Sequence, residues 1–522
     1  MFSRVRILTV TILVILALFT RFYRLNWSSG HFPHPDENNM GIAVSRLSAG
    51  NLNPEFFAYG QFPLYLAYFS LNLLHLPNNF ANSIYALRFE SALFSFLSLP
   101  VFYLLARRLF KKELFRLIFL FLLIFNPGLI QLAHFGTTES LLIFVFALNL
   151  YFAFRILETR QVGRLCAILL FSSLITSVGL ASKISSLIFI FPVLLSLVIT
   201  HRQKKLIFLL ITSYYLLFTI CFYILLSPYN VIKRSDFLGS MRYETAVATG
   251  KDKVFYTNQY LATTPYLFQL TNIFPYTSGL PVFIFGLLGF CLILKPTRPA
   301  GRHSAIGRKS FITWAIVLTS GLIYFLYFGS LYAKWTRFMS PIFFTFPLLC
   351  TYFLSRFRNN YIVYFLVFVS VLPGLSFTRL YFQSDIRVVA SRWLNDYLPA
   401  GSQILSEAGN VNDIPYINEK NHQIINFDFY NLDSNQELIQ KLPGLLEKSN
   451  YIIVPSRRMF GNQMWDRFPY SNEYYTRLFS GDYGFTKIKE FRLPTDFLLN
   501  SENAEETWSV FDHPTIRVFQ KL

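Results

Sequence analysis

Apolar residues fill the first 380 positions of the chain in long runs, separated by short polar stretches rich in Lys and Arg. A membrane-crossing helix needs about 20 mostly apolar residues. On that scale the pattern predicts eleven spans: 5–23, 87–106, 117–133, 140–157, 165–179, 184–200, 206–226, 273–294, 311–330, 338–355 and 361–379. A twelfth run, Phe62–Leu76, is apolar but edged by Gln61, Asn72 and His75, and is expected to lie on the membrane surface. The first run lacks a clear small-residue cleavage site and leads into further spans, so it is expected to be a retained helix.

The pattern changes after residue 380. Short β runs (QILSE, QIINF, YIIVPS, FTKIKEF, IRVFQ) alternate with helical stretches, IRVVASRWLNDYL and SNQELIQKLPGLLEKS. These predict a small α/β domain. The expected organisation is therefore a transmembrane domain over 1–380 and an extracytoplasmic α/β domain over 381–522.

Composition supports the membrane reading: 53% of residues are hydrophobic and only 14% are charged, where a soluble chain carries about 25%. The net charge of +19 is divided as +23 over residues 1–380 and −4 over 381–522. Basic charge next to apolar spans is a topology signal and not a nucleic-acid signal, and no nucleic-acid-binding motif accompanies it. The four cysteines fall in apolar segments without metal-binding spacing. No P-loop, GxGxxG, HExxH or GxSxG is present.

Arg4 and Arg6 place the N-terminus in the cytoplasm under the positive-inside rule. Eleven crossings then put every basic loop, at 107–116, 158–164, 201–205, 295–309 and 355–360, on the cytoplasmic side. Residues 24–86, 134–139, 180–183, 227–272, 330–337 and the tail share the opposite side. The expected location is a plasma membrane crossed many times, with the tail outside.

The outward surface collects the chain's unusual polar residues. FPHPDENN places Asp36 and Glu37 before a helix-like stretch; AHFGTTES places His134 and Glu139 at the start of a span; GLASKI holds a lone Lys183 between two apolar helices. YAKWTRFMSP adds Lys334 and Arg337, cations on the side that the positive-inside rule leaves poor in them. Each has a structural reading as well. An acid at a helix start can cap it and suit its dipole, and a lysine at a membrane edge can snorkel to water. Taken together, carboxylates suit a general base or a hydroxyl-orienting group, and the cations suit a phosphate. A sugar donor linked to a lipid phosphate fits both, with its tail in the bilayer and its phosphate at the interface.

The order of these motifs resembles the GT-C superfamily, in particular its protein O-mannosyltransferase and aminoarabinose-transferase group, over residues 1 to about 355. HPDENNMGIAVSRLSAGNLNP followed by QFPLYLAYFSLNLL resembles that group's first outer loop with two juxtamembrane helices. ALRFESALFSFLSLPVFYLLARRLF, which carries Arg88, resembles its second span, and GLASKISSLIFIFP and KWTRFMSPIFFTFP resemble its lysine-bearing turn and its basic-plus-proline segment. The tail, ending ETWSVFDHPTIRVFQK, resembles bacterial members with an added outer domain.

The resemblance implies a polyprenyl-phosphate-sugar-dependent hexosyl- or pentosyltransferase that acts with inversion on an acceptor glycan, lipid or protein at the outer face. It implies Asp36 as general base, Glu37 and Glu139 as orienting acids, and Lys183, Lys334 and Arg337 as phosphate ligands, with His134 a further substrate contact. No metal-ligand set is evident, although two acids could hold a divalent cation. The alternative is a transporter or flippase of lipid-linked sugars. That function would be expected to show inverted repeats and helices broken at mid-membrane.

Overall fold

The computed structural model describes residues 2–294, 305–407, 422–493 and 495–522. Most of the basic loop at 295–309 lies outside the described residues. Helices α1 (Phe2–Phe22) to α10 (Lys205–Leu226) follow in order. They include the short α2 (Pro35–Ser45) and α3 (Gln61–Leu73), then α4 (Phe80–Leu109), α5 (Glu113–Ile124), α6 (Pro127–His134), α7 (Glu139–Glu158), α8 (Val162–Leu180) and α9 (Phe191–His201). Next come α11 (Tyr229–Ile232), α12 (Arg234–Thr249), α13 (Leu267–Asn272), α14 (Phe274–Ser278), α15 (Leu280–Leu294), α16 (Ala305–Gly329), α17 (Thr345–Leu354) and α18 (Asn360–Thr378).

Among the described residues, seven helices are long and apolar enough to cross a membrane, and three bent pairs raise the number to ten. The apolar part of α1, Ile7–Phe22, is shorter. The chain is a multi-pass membrane protein. The expected span 273–294 is not one straight helix: α13–α14 and α15 meet at 119°. Gly279 sits at that corner with φ +81, a conformation that favours glycine, and Pro281 follows it without a backbone N–H to donate.

Another bend separates α5 from α6, by 51°. A break leaves carbonyls without helical partners, and in an apolar layer they must be satisfied internally. Arg21 of α1, fully buried, supplies the donors. Its guanidinium bonds the carbonyls of Leu123 (2.8 Å) and Ile124 (3.0 Å) and the Ser95 hydroxyl (2.8 Å). Elsewhere, Ser173 and Ser177 of α8 bond the Tyr215 and Thr219 carbonyls of α10, and Thr176 bonds Asn149 of α7. Small residues that hydrogen-bond across helices replace the hydrophobic effect where lipid competes equally for apolar side chains.

The tail opens with α19 (Ile386–Tyr397) and builds a five-stranded sheet from β1 (Gln403–Glu407), β2 (Gln423–Phe427), β3 (Tyr451–Val454), β4 (Phe485–Phe491) and β5 (Ile516–Lys521), in the order β2-β1-β3-β5-β4. The β1–β2 and β1–β3 pairs are parallel, and β5 runs antiparallel to both β3 and β4. Central β3 is a continuous apolar run, YIIV, buried throughout, as a strand covered on both faces should be. Edge strand β4 exposes Lys487 and Lys489, which discourage pairing with another chain. Helices α20 (Gln436–Lys448), α21 (Phe460–Gln463) and α22 (Pro469–Ser480) complete the tail.

The tail is fused to the helical part through one apolar cluster. Trp27, Ile130, Phe135, Phe377 and Tyr381 share it with Ile404, Ile453, Trp508 and Val518. At the other end of the helices Arg108 of α4 pairs with Glu158 of α7, so the basic loops after these helices gather away from the tail.

Candidate active site

Helix α2 begins with a histidine cap. The His34 ring Nδ1 accepts the Asp36 N–H at 3.2 Å, and Pro35 takes the first helical position, where a missing N–H costs nothing. The His34 ring packs against Phe135 and Phe511. Burial, aided by the charges of Arg337, Arg88 and Arg458, holds His34 well below its ordinary pKa, so it stays neutral and able to accept. The cap is therefore His34, and the two acids that follow are released from that duty.

They go separate ways. Successive helical residues point about 100° apart. Glu37 turns inward and forms a two-pronged pair with Arg88 of α4, at 2.8 and 2.7 Å, with both side chains wholly buried. Gly136 N–H donates to the same carboxylate at 2.6 Å, and the Arg88 guanidinium lies over the Trp27 ring at 4.8 Å. Asp36 turns instead into a cavity of about 950 Å³ and pairs with Arg337, whose guanidinium also reaches the Tyr59 hydroxyl at 3.1 Å.

Across the same cavity Lys183 pairs with Glu139 at 3.4 Å and lies over the Tyr59 and Phe338 rings. Tyr59 is thus set between the two ion pairs. Its place is fixed by a close backbone approach: Gly60 N–H donates to the Ser182 carbonyl at 2.9 Å, and a Cβ on Gly60 would stand 2.0 Å from the Ala181 oxygen. Only glycine lets the two segments touch. Burial, with the charges of Glu139 and Glu244, keeps the Tyr59 phenol well above its ordinary pKa, and hence protonated.

The remaining walls come from α12, which brings Glu244, and from the tail, which brings Arg458, Thr507 and Phe511. Burial raises the Glu244 carboxyl and Lys183 partly offsets it. Arg458 is buried against Glu506 at 2.8 Å. The cavity also has an apolar side lined by Leu187, Ile188, Tyr327 and Phe328. Leu187 and Tyr327, 54% and 58% exposed, stand at the tail-side ends of two spans and face both the cavity and the surroundings. Among the described residues no group of three or more His, Cys, Asp or Glu is placed to hold a metal ion.

Residues 64–230 match the model of the dolichyl-phosphate-mannose-protein mannosyltransferase family. No curated protein matches the chain. Among solved structures, ArnT from Cupriavidus metallidurans bound to undecaprenyl phosphate aligns over 99% of this chain and 98% of its own, at 12% identity and a TM-score of 0.50. The chain shares the fold of that structure. The archaeal oligosaccharyltransferase AglB from Archaeoglobus fulgidus, in complex with an inhibitory peptide and a dolichol-phosphate, aligns over 90% of this chain and 72% of its own, at 12% identity and a TM-score of 0.49.

Within this fold, four of the seven expected site residues meet around one cavity: Asp36, Glu139, Lys183 and Arg337. Three do not line it. Glu37 is committed to Arg88. His134 is buried, stacked on Tyr381 at 3.5 Å, with its ring nitrogens on the Ile130 and Tyr23 carbonyls, so it braces the fold and has no ring atom left for a substrate. Lys334 was expected at the phosphate. It lies before the helix, which begins only at Thr336, and its ammonium turns back to the Tyr332 carbonyl at 2.9 Å. Burial lowers its pKa to about 8.

Tyr59, Glu244, Arg458 and the cap of His34 were not anticipated as site features. Arg88 carried a signal, a charge inside an apolar run, which asks for a buried partner. Glu244 and Arg458 stand in ordinary polar stretches and carried none.

Proposed function

We propose that the chain is a membrane glycosyltransferase that moves a sugar from a polyprenyl-phosphate donor to an acceptor on the outer face, with inversion. The carrying observation is that one cavity joins two carboxylate–cation pairs to an apolar side open at the outer ends of two spans. An isoprenoid chain suits the apolar side, and a phosphate suits Arg337 and Lys183. The family model matched by residues 64–230 is named for a dolichyl-phosphate-mannose donor, and the ArnT structure of equal extent carries undecaprenyl phosphate. Both fit this reading.

In the reaction, Asp36 takes the proton of the acceptor hydroxyl. That oxygen attacks the anomeric carbon from the face opposite the phosphate, and the carbon–oxygen bond to the phosphate breaks. Arg337 and Lys183 take up the negative charge that develops on the leaving phosphate. Glu139 orients Lys183, while Tyr59 holds Arg337 and offers a ring edge to the sugar. The orientation in this reading is N-terminus in and tail out, which the placement of the basic loops supports.

The test is the purified protein in lipid vesicles with polyprenyl-phosphate sugars and candidate acceptors, read by mass spectrometry. The wild type should release free polyprenyl phosphate and a glycosylated acceptor. A sugar that crosses the vesicle still attached to its lipid would identify a flippase and overturn the proposal.

A further inference from the structure

The tail residue Glu505 is wholly buried, yet among the described residues no cation lies within ion-pair distance of its carboxylate. Its neighbour Glu506 behaves in the ordinary way, paired with Arg458. Glu505 is instead surrounded by six neutral donors. One oxygen accepts the Thr336 N–H (3.0 Å), the Thr336 hydroxyl (2.8 Å) and the Thr507 hydroxyl. The other accepts the Tyr260 hydroxyl (2.9 Å), the Gln259 amide (3.0 Å) and the Thr507 N–H (3.2 Å). Its own N–H donates to the Asn272 carbonyl at 2.9 Å.

A buried carboxylate is costly unless its oxygens are hydrogen-bonded. This one is fully provided for, and the groups that provide for it lie in three separate outer segments. Thr336 is the point of leverage. It is gripped by both main chain and side chain, and its neighbours Trp335 and Arg337 both line the cavity, the Arg337 guanidinium lying 4.9 Å from the Trp335 ring centre. Arg337 Nε is buried without a partner, so the guanidinium is held only at its outer nitrogens, by Asp36 and Tyr59, and by the chain that carries it.

We infer that Glu505 is a positioning residue that clamps Thr336 and so aims Arg337 at the donor phosphate, which makes the tail part of the transfer site. The clamp rests on the transferase reading for its purpose, not for its geometry. Glutamine at 505 would have the same shape, but one acceptor oxygen becomes an NH₂ that faces donors, so one side of the clamp must open. Thr336→Val keeps the N–H bond and removes only the hydroxyl, a milder version of the same loss.

The experiment uses the full chain in nanodiscs. Hydrogen exchange is followed over residues 333–338 and over β3 and β5, and donor kinetics are measured in parallel. Glu505→Gln should speed exchange over 333–338 by about tenfold or more, as a lost bond to a charged group implies, with the two strands unchanged. Donor KM should rise by a similar factor with a smaller change in kcat. Thr336→Val should move both readouts the same way by less, and it decides the matter should Glu505→Gln fail to fold. Glu407→Gln, a buried tail acid bonded to Tyr475, should leave 333–338 unchanged. Unaltered exchange over 333–338 in both variants, or loosening spread over the whole tail, would overturn the inference. A wild type that transfers no sugar would overturn the transferase reading alone, and the exchange result would still decide the clamp.

Discussion

Asp36 and Glu37 are neighbours in sequence with the same chemistry, and the fold sets them to opposite tasks. The Glu37 region is a dry brace: two wholly buried side chains, a bidentate pair and a backbone donor. The Asp36 region is a wall of a wide cavity, its pair with Arg337 about one-quarter exposed on each side. A buried pair gains little net stability, but removal of one partner leaves an uncompensated charge. A half-buried pair can exchange its partner for a ligand. The comparison separates an acid locked into the fold from one whose surroundings leave room for a ligand.

The largest effect should come from Asp36→Asn. The His34 ring keeps the helix cap, so thermal unfolding should change little, while the transfer rate should fall by roughly 10²–10⁴ as a lost general base implies. A folded variant with near-normal transfer would erase the distinction between the two acids. Next is Arg88→Ala, which strands Glu37 in the interior and should cost about 3–5 kcal/mol of stability, read by denaturant or thermal unfolding in detergent. Replacement of both partners by apolar residues of similar volume should recover much of that loss. If Arg88→Ala were as stable as the wild type, the brace would be no brace.

Smaller still, Arg337→Ala and Lys183→Ala should each weaken donor use with modest effects on unfolding. A hydrogen bond to a charged group is worth about 1.5–3 kcal/mol, or roughly 10- to 150-fold in binding. The smallest effect belongs to Lys334, which faces away from the cavity: Lys334→Met should leave donor KM almost unchanged. Its pKa is lowered from 10.5 to about 8 by burial. Between those values the unfolded chain binds more protons than the folded one, so this lysine makes stability rise with pH over that window. The Met variant should lose that part of the rise in a series of melts from pH 7 to 10.5. A donor KM raised as far as in Arg337→Ala would put Lys334 back at the phosphate.

Much of the architecture was legible in the chain, and parts of the site were not. Each expected span falls on a helix or a bent helix pair, and each of the five short β runs of the tail holds a strand. The bend at Gly279 was written in the Gly-Leu-Pro that makes it, but hydropathy counts apolar residues and is blind to direction. Asp36, Glu139, Lys183 and Arg337 could be singled out because each is a charge in an unusual place, at the rim of an apolar run. Lys334 carries the same signal as Arg337 and yet turns away, because it precedes the helix that begins at Thr336 and its ammonium finds the Tyr332 carbonyl.

What the sequence determined by itself is local. A run of about 20 apolar residues must satisfy its own backbone within the segment, and the helix does so without reference to anything else. Likewise, a short run of β-branched and aromatic residues marks a strand, and a Pro with acids after it marks a helix start. What only the tertiary structure decided is which distant groups meet. Glu505 reaches Thr336 across 169 residues, Arg337 reaches Asp36 across 301, and Gln131 reaches the Trp508 carbonyl across 377. No periodicity encodes such pairs, because a polar residue in a polar loop looks the same whether it faces water or a buried partner. Burial makes the difference, and burial is set by the packing of the whole chain.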